Sequence, residues 1–221
     1  MSRASLITNP INIEYLIGFK SSHAVLLKTK SKTYLFTDGR YLEKAQKIKG
    51  IQALNIKEKD LWEKLRRKHR ITLIEYEGDH LTINRLKGFK KIIKQCKWKD
   101  GDKKIEQKRA IKNIAEIRKA KHSQAINEQI FETIKRGLKP GVTEIQIAQK
   151  IKDLSSKYNA DDLSFEPIVA FGTHSSIPHH ENTKRKLKRG NLILIDMGVI
   201  YQKYTSDMTR VLFTKSPTSE Q

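Results

Sequence analysis

The sequence predicts an α/β domain followed by an α+β domain, on three observations. Segments typical of strands and of helices alternate over the first hundred residues, which favours a layered α/β domain. A polar stretch containing glycine, residues 97–104, then interrupts this pattern. Beyond it, apolar residues recur at helical spacing and are followed by short strand-like runs. We therefore predict domains at residues 1–99 and 103–221, joined by a linker at 97–104.

The elements predicted for the first domain begin with a hairpin, in which residues 24–27 and 33–37 flank a polar turn. Asp38 has the side chain of a helix N-cap and precedes an amphipathic segment that reaches Ile48. Two further strands are predicted at 51–56 and 71–76. Helices are predicted around 61–65 and from 81 to 93.

The second domain is predicted to open with helices. Isoleucines recur at near-helical spacing from Ile105 to Ile134, which indicates one long helix or two. Thr143 and Gln146 have the spacing of a capping box, and an apolar stripe follows them. Short strands are then predicted at 168–171, 192–195 and 209–213.

The charge balance of the chain is strongly basic. Its 221 residues contain 45 Lys and Arg against 24 Asp and Glu, which gives a net charge of +21. Such a charge suits an anionic partner, because neutralised phosphates release counterions. The basic residues are spread along the chain, however, and no stacking motif or zinc-finger spacing accompanies them. We interpret them as solvated surfaces and expect no nucleic-acid partner.

Composition also bears on the compartment. No apolar run approaches the ~20 residues that a membrane-spanning helix needs. The first ten residues lack the apolar stretch of a secretory signal. The single cysteine, Cys96, has no partner for an internal disulfide. We therefore expect a cytoplasmic protein without a membrane partner.

Two aspartates are candidate metal ligands. Asp196 closes an apolar run, where burial disfavours a lone charged carboxylate, and Asp207 opens the next strand-like run. A hairpin folded at residues 199–204 brings both to the same end of paired strands. Converging carboxylates bind hard divalent cations such as Mn²⁺. The alternative is structural: Asp196 pairs with Arg210 or caps a turn.

A histidine-rich stretch, residues 172–181, is the second candidate site. Neighbouring side chains of an extended backbone point in different directions, so His179 and His180 are not expected to bind one ion together. One of them, placed near the aspartates, can donate to a substrate carbonyl or leaving amine. The alternative is an exposed loop without a chemical role.

Five short segments follow one another in the second half of the chain: Phe165-Glu166-Pro167-Ile168-Val169-Ala170-Phe171-Gly172, Pro178-His179-His180, Leu187-Lys188-Arg189-Gly190-Asn191, Ile195-Asp196-Met197-Gly198 and Thr205-Ser206-Asp207-Met208-Thr209-Arg210. In order and at natural spacing, they resemble segments of the Xaa-Pro peptidases, the prolidase and aminopeptidase P branch of metallopeptidase family M24. Residues 12–19 and 35–41 resemble the creatinase-like N-terminal domain of the same proteins. The resemblance implies an α/β creatinase-like domain followed by an incomplete α+β pita-bread catalytic domain.

The resemblance also implies roles for individual residues. Asp196 corresponds to a carboxylate on one metal, and Asp207 to a carboxylate that bridges two. His179 corresponds to a histidine that contacts the substrate and is not a ligand. The implied cofactors of the complete family site are two divalent ions, Mn²⁺ or alternatively Co²⁺, and we expect the two carboxylates of this chain alone to bind metal weakly. The implied substrate is a proline-containing peptide, and the implied assembly of the complete protein is a homodimer with residues 38–41 near the subunit contact. The alternative for residues 38–41 is a helix cap with an exposed Arg40.

The sequence departs from the family pattern after Asp207. The family supplies a further His and two Glu there, whereas this chain offers only Glu220. We therefore expect a C-terminally truncated, incomplete portion that is inactive by itself, from an enzyme hydrolysing the Xaa-Pro bond. The alternative function is a catalytically dead, peptidase-like module that binds an anionic partner, and a third is a remnant without activity.

Overall fold

The computed structural model describes residues 2–101 and 103–217, which fall into two compact units. The first unit extends to Ile111 and the second begins at Lys112. None of the helices in the described ranges is both long and apolar enough to cross a lipid bilayer.

The N-terminal unit is built on one six-stranded mixed sheet. Its strands are β1 (Ser2–Ile7), β2 (Ala24–Lys28), β3 (Thr33–Thr37), β4 (Ile51–Asn55), β5 (Ile71–Tyr76) and β6 (Lys97–Asp100). Its helices are α1 (Pro10–Ile17), α2 (Gly39–Gln46), α3 (Asp60–Lys68), α4 (Ile83–Ile92) and α5 (Lys104–Ala110). The strand order is β4-β3-β2-β1-β5-β6, with β1–β2 and β2–β3 antiparallel and the other pairs parallel. Neither β1 nor α1 was predicted from the sequence.

The predicted hairpin and the predicted N-cap of this unit are confirmed. β2 and β3 pair in antiparallel register from Ala24 opposite Thr37 to Lys28 opposite Thr33. Asp38 Oδ1 accepts a hydrogen bond of 3.0 Å from the backbone N–H of Arg40, which starts α2. Both faces of the sheet are covered, because apolar clusters pack on either side of it.

The segment predicted as a linker is structured. Lys97–Asp100 forms β6, which pairs in parallel with β5 at the edge of the sheet, and Trp98 packs beside Tyr76. An edge strand presents one side to solvent, so its alternating Lys-Trp-Lys-Asp sequence carries a single apolar residue and resembles a loop. The division between the units instead follows α5, between Ile111 and Lys112.

The C-terminal unit combines two long helices with two three-stranded sheets. Its helices are α6 (Ile114–Gly137) and α7 (Glu144–Lys157), with a short 3₁₀ helix at Gly172–Ser176. Its strands are β7 (Asp162–Leu163), β8 (Ile168–Phe171), β9 (Leu192–Met197), β10 (Val199–Tyr201), β11 (Tyr204–Thr205) and β12 (Met208–Phe213). The sheets are β12-β9-β8 and β11-β10-β7, and every pair is antiparallel.

Both long helices begin with a capping box. Asn113 and Glu116 form one at α6, and Thr143 and Gln146 form the predicted one at α7. The isoleucine periodicity therefore belongs to separate helices, α5 and α6, and buried residues such as Ile130 of α6 pack with α7 and the strands. This packing places the first turn of α7 beside the end of β8.

Candidate active site

An open cleft of about 750 Å³ lies in the C-terminal unit and contains all three candidate residues, His179, Asp196 and Asp207. Its wall is formed partly by α7 and by the segment that leads into β8. Besides those three, the lining residues are Ile145, Ala148, Gln149, Lys152, Phe165, Glu166, Pro167, Ile168, His180, Glu181 and Asn182. The cleft therefore combines apolar surface with ionisable groups, as ligand sites commonly do.

The two aspartates come from neighbouring strands. β9 and β12 pair so that Thr209 lies opposite Asp196, and Asp207 precedes β12 by one residue. Thr209 Oγ1 donates a 2.7 Å hydrogen bond to Asp196 Oδ1. Asp207 and Thr209 are two residues apart and thus face the same side of the strand pair as Asp196. Both carboxylates lie at the same end of the pair.

The alternative role considered for Asp196 was structural, as the partner of Arg210 or the cap of a turn, and the observed contacts differ from it. Within the described part of the chain, Thr209 is its side-chain hydrogen-bond partner, whereas Arg210 Nη1 donates to the backbone carbonyl of Thr209 at 3.0 Å. Lys152, the only Lys or Arg among the described residues that line the cleft, pairs with Glu166 at 2.6 Å. The negative charge of Asp196 and Asp207 therefore has no ion-pair partner among residues 2–101 and 103–217.

This donor set fits a divalent cation. Hard cations prefer carboxylate oxygens, and two uncompensated carboxylates lining one open cleft provide them. Asp196 is half-buried and its orientation is held by Thr209, while Asp207 is exposed. Two residues supply only part of a coordination shell. Glu220, the remaining acidic residue after Asp207, lies outside the described residues.

Buried polar side chains support the backbone next to Asp196. Asn127 Nδ2 donates to the carbonyl of Met197 at 3.0 Å, and Ser123 Oγ donates to that of Val199 at 2.9 Å. A Cβ at Gly198 would lie 2.2 Å from the backbone oxygen of Ser206, so only glycine fits this corner. The backbone on the C-terminal side of Asp196 is consequently well defined.

His179 and His180 lie in different environments, as predicted, but the backbone at His179 is left-handed and not extended as the prediction assumed. His179 is exposed at the cleft, and its φ of 54° is in the left-handed region, which costs a non-glycine residue about 1 kcal/mol or more. His180 is buried, and its Nε2 lies 3.0 Å from Glu144 Oε2. The exposed imidazole of His179 at the rim of the cleft can contact a bound substrate, whereas the imidazole of His180 is held by Glu144.

Glu144 is a fully buried carboxylate that the sequence analysis did not single out. Its Oε1 accepts from the backbone N–H of Phe171 at 2.9 Å and lies 2.8 Å from His174 Nδ1. Its Oε2 accepts from the N–H and hydroxyl of Thr183, at 3.0 and 2.7 Å, besides the contact with His180. We call Glu144, Phe171, His174, His180 and Thr183 the Glu144 cluster.

The cluster stabilises the charged form of Glu144. Burial by itself raises the pKa of this carboxyl, but the hydrogen bonds from Thr183, His180 and Phe171 outweigh it and hold the pKa at about 2. Its position in the first turn of α7 also favours a negative charge. The sequence signal at this position was an ordinary acidic residue inside a capping box. Glu144 is buried because residues 171–183 fold back over its carboxylate, and the sequence around Glu144 gives no sign of this contact.

Comparisons with known proteins agree with this architecture. Residues 2–111 match the model of the creatinase/prolidase N-terminal domain, and residues 118–221 match that of metallopeptidase family M24. Proteins named uncharacterized peptidases from Staphylococcus epidermidis and Staphylococcus aureus are 31% and 32% identical over 224 residues. The alignments cover 98% of this chain and 63% of those relatives, so the chain spans less than two thirds of their length.

Solved structures give the same result. An X-Pro aminopeptidase from Thermotoga maritima matches with a TM-score of 0.87 and 27% identity, over 99% of this chain and 64% of that one. An Xaa-Pro dipeptidase from Bacillus anthracis matches with a TM-score of 0.88 and 27% identity, over 99% and 62%. These matches confirm the predicted fold class, a creatinase-like N-terminal domain followed by part of a pita-bread domain. The chain therefore belongs to metallopeptidase family M24, and within it to the proteins that carry a creatinase/prolidase N-terminal domain.

Proposed function

We propose that the chain is the portion of an Xaa-Pro metallopeptidase that carries the substrate-contacting histidine and two of the metal ligands. The observation behind this proposal is the convergence of His179, Asp196 and Asp207 on one cleft. The similar structures from Thermotoga maritima and Bacillus anthracis are those of an X-Pro aminopeptidase and an Xaa-Pro dipeptidase. Hydrolysis of the bond before proline is accordingly the reaction we assign.

Each residue has a defined task in this proposal. Asp196, oriented by Thr209, and Asp207 hold the metal, for which we propose Mn²⁺, with Co²⁺ as the alternative. The bound metal supplies Lewis-acid activation of the scissile carbonyl and of water. His179 donates a hydrogen bond to the substrate oxygen on which negative charge develops. The apolar wall that includes Ile145 and Phe165 excludes water from one side of the peptide.

Metal binding can be tested on this chain directly. We expect Asp196→Asn and Asp207→Asn each to weaken Mn²⁺ binding at least about tenfold, because each removes a charged ligand oxygen. The loss of the free Mn²⁺ signal in electron paramagnetic resonance titrations measures this binding. Asp153→Asn is the matched control, since Asp153 is an exposed carboxylate of α7 outside the cleft lining. Equal Mn²⁺ affinity in the wild type and both cleft variants contradicts the proposed metal site.

Peptide cleavage is tested on the gene product as its own cells make it. Two carboxylates are a partial ligand set, and we propose that this chain by itself is inactive. The intact mass of the native product should therefore exceed 25.6 kDa. The purified product should hydrolyse Xaa-Pro peptides in a Mn²⁺-dependent manner. A product of 25.6 kDa without this activity excludes the peptidase function.

A binding module for an anionic partner is the second candidate function, favoured by the net charge of +21. Residues 184–189, with five basic residues, are the densest basic run. This function predicts binding to a polyanion such as heparin that weakens steeply with salt. No retention on a heparin column at about 0.15 M salt argues against it.

We further propose a cytoplasmic location and a homodimer, for reasons of composition and of family resemblance. The structure adds one contact near the proposed subunit boundary: Arg40 Nη2 lies 2.7 Å from Asp38 Oδ2 within one turn of α2. Arg40 therefore has a partner inside its own helix. The test is the mass of the Arg40→Ala variant in analytical ultracentrifugation. If the variant remains a dimer like the wild type, Arg40 is not needed for the proposed subunit contact.

A further inference from the structure

The Glu144 cluster fixes several points of the segment that carries His179. Glu144 binds the backbone at Phe171, the imidazoles of His174 and His180, and both donors of Thr183. These contacts extend over thirteen residues of chain, on both sides of His179. A single buried side chain of α7 therefore determines where this segment lies.

The protons in the cluster can be assigned from its geometry. An ionised carboxylate only accepts hydrogen bonds, so both imidazole contacts with Glu144 require an N–H on the histidine. When neutral, His174 then carries its proton on Nδ1 and His180 carries its proton on Nε2. The nitrogens left as acceptors are His174 Nε2 and His180 Nδ1.

Glu144, His174 and His180 also have the spacing of a metal site, since their candidate ligand atoms lie within 4.8 Å of one another. Two features favour hydrogen bonding. The contacts from His174 and His180 to Glu144 are 2.8 and 3.0 Å, whereas ligands of a tetrahedral ion with bonds of ~2.0–2.1 Å lie roughly 3.3 Å apart. Both carboxylate oxygens also already accept from Phe171 or Thr183.

His179 is directly connected to this cluster. It precedes His180 in sequence, and its backbone is in the left-handed region, which a residue keeps only when its surroundings impose it. Asn182 adds a second restraint, because it accepts from the N–H of Val169 and donates to the carbonyl of Pro167, both at 2.7 Å. The backbone beyond His179 is therefore fixed against both α7 and β8.

We propose that Glu144 is a positioning residue: through His180 and Thr183, its carboxylate holds His179 in the orientation needed for substrate contact. This inference rests on the proposed role of His179. Glu144 itself is fully buried and does not touch the substrate. The charge of Glu144 is essential to this role, because a neutral amide in its place cannot accept all of these donors.

The first test is the protonation of the histidines in the 221-residue chain. Long-range ¹H–¹⁵N spectra of the wild type should show a proton on Nδ1 of His174 and on Nε2 of His180, the nitrogens that face Glu144. Glu144→Gln should move the proton of at least one of these histidines and raise the amide exchange rates of residues 177 and 179–181 at least about tenfold. Gln146→Ala is the matched control, since it removes a 2.9 Å capping contact at the same helix end but leaves Glu144 intact.

A milder pair of variants keeps the test decisive if Glu144→Gln fails to fold. Thr183→Val removes the 2.7 Å hydroxyl bond to Glu144 at nearly constant volume, whereas Thr183→Ser retains it. We expect faster exchange around His179 in the valine variant and rescue by serine. Unchanged exchange and unchanged histidine forms in Glu144→Gln or Thr183→Val overturn the proposal. Stoichiometric Zn²⁺ binding that displaces both N–H signals also overturns it.

The second test links the cluster to catalysis in the native product. If Glu144 acts through His179, Glu144→Gln added to His179→Ala should reduce kcat no further than His179→Ala alone. Multiplicative losses overturn the positioning role. The spectroscopic test involves neither peptide cleavage nor Mn²⁺, so failure of the proposed peptidase function and failure of this inference are distinguishable.

Discussion

We expect the replacement of Trp62 by alanine to lower the free energy of unfolding of the N-terminal unit by about 3–5 kcal/mol. Trp62 is 2% exposed and connects α3 to the sheet. Its ring stacks on Phe36 of β3 at 3.6 Å between centroids and meets the edge of Phe89 of α4 at 5.3 Å. Alanine leaves a cavity that these rings cannot fill without moving the sheet, so the loss includes both transfer and cavity contributions.

Urea denaturation measures this loss. The chain has two tryptophans, and the other, Trp98, lies in β6 of the same unit, so its fluorescence reports the transition in the variant. Ile83→Ala is the control, because Ile83 is 71% exposed and its truncation should change the unfolding free energy by about 0.5 kcal/mol or less. A loss below about 1 kcal/mol in Trp62→Ala would show that this cluster does not hold the unit together.

Acidification should destabilise the C-terminal unit by about 3 kcal/mol through Glu144 alone. The pKa of this carboxyl is about 2 in the folded chain, against an ordinary value of 4.5. A difference of about 2.5 units corresponds to about 3 kcal/mol. Because the folded pKa is the lower one, this contribution is fully present above about pH 5 and is lost as the pH falls towards 2.

This dependence can be isolated by urea titrations between pH 7 and pH 2.5, followed by methyl signals of buried residues such as Ile151. Glu144→Gln should flatten the acid dependence, because the amide does not titrate in this range. Glu132→Gln is the control: Glu132 is 54% exposed and pairs with Lys135 at 3.7 Å, so its removal should leave the curve nearly unchanged. An identical slope for the wild type and Glu144→Gln would contradict the hydrogen-bonded carboxylate described for this cluster.

Local pattern and tertiary pairing contributed differently to the fold. The β2–β3 hairpin, the Asp38 N-cap and the capping box at Thr143 were predictable, because each depends on residues within a few positions of one another. Strand β6 was not, because its polar sequence becomes a strand only through pairing with β5. The same holds for β1, whose central place requires β2 on one side and the distant β5 on the other.

The candidate site divides in the same way. Short motifs were enough to identify the family and to name His179, Asp196 and Asp207 as candidates, whereas the different environments of His179 and His180 depend on a left-handed backbone at His179 that the sequence did not reveal. The common cleft of these residues and the hydrogen bond by which Thr209 orients Asp196 became evident from the folded chain. It alone revealed Glu144, because the five hydrogen bonds to that carboxylate come from residues 27 to 39 positions away. A buried charge is stable only where hydrogen-bond donors surround it, and here those donors are distant in sequence, so no local sequence pattern predicts them.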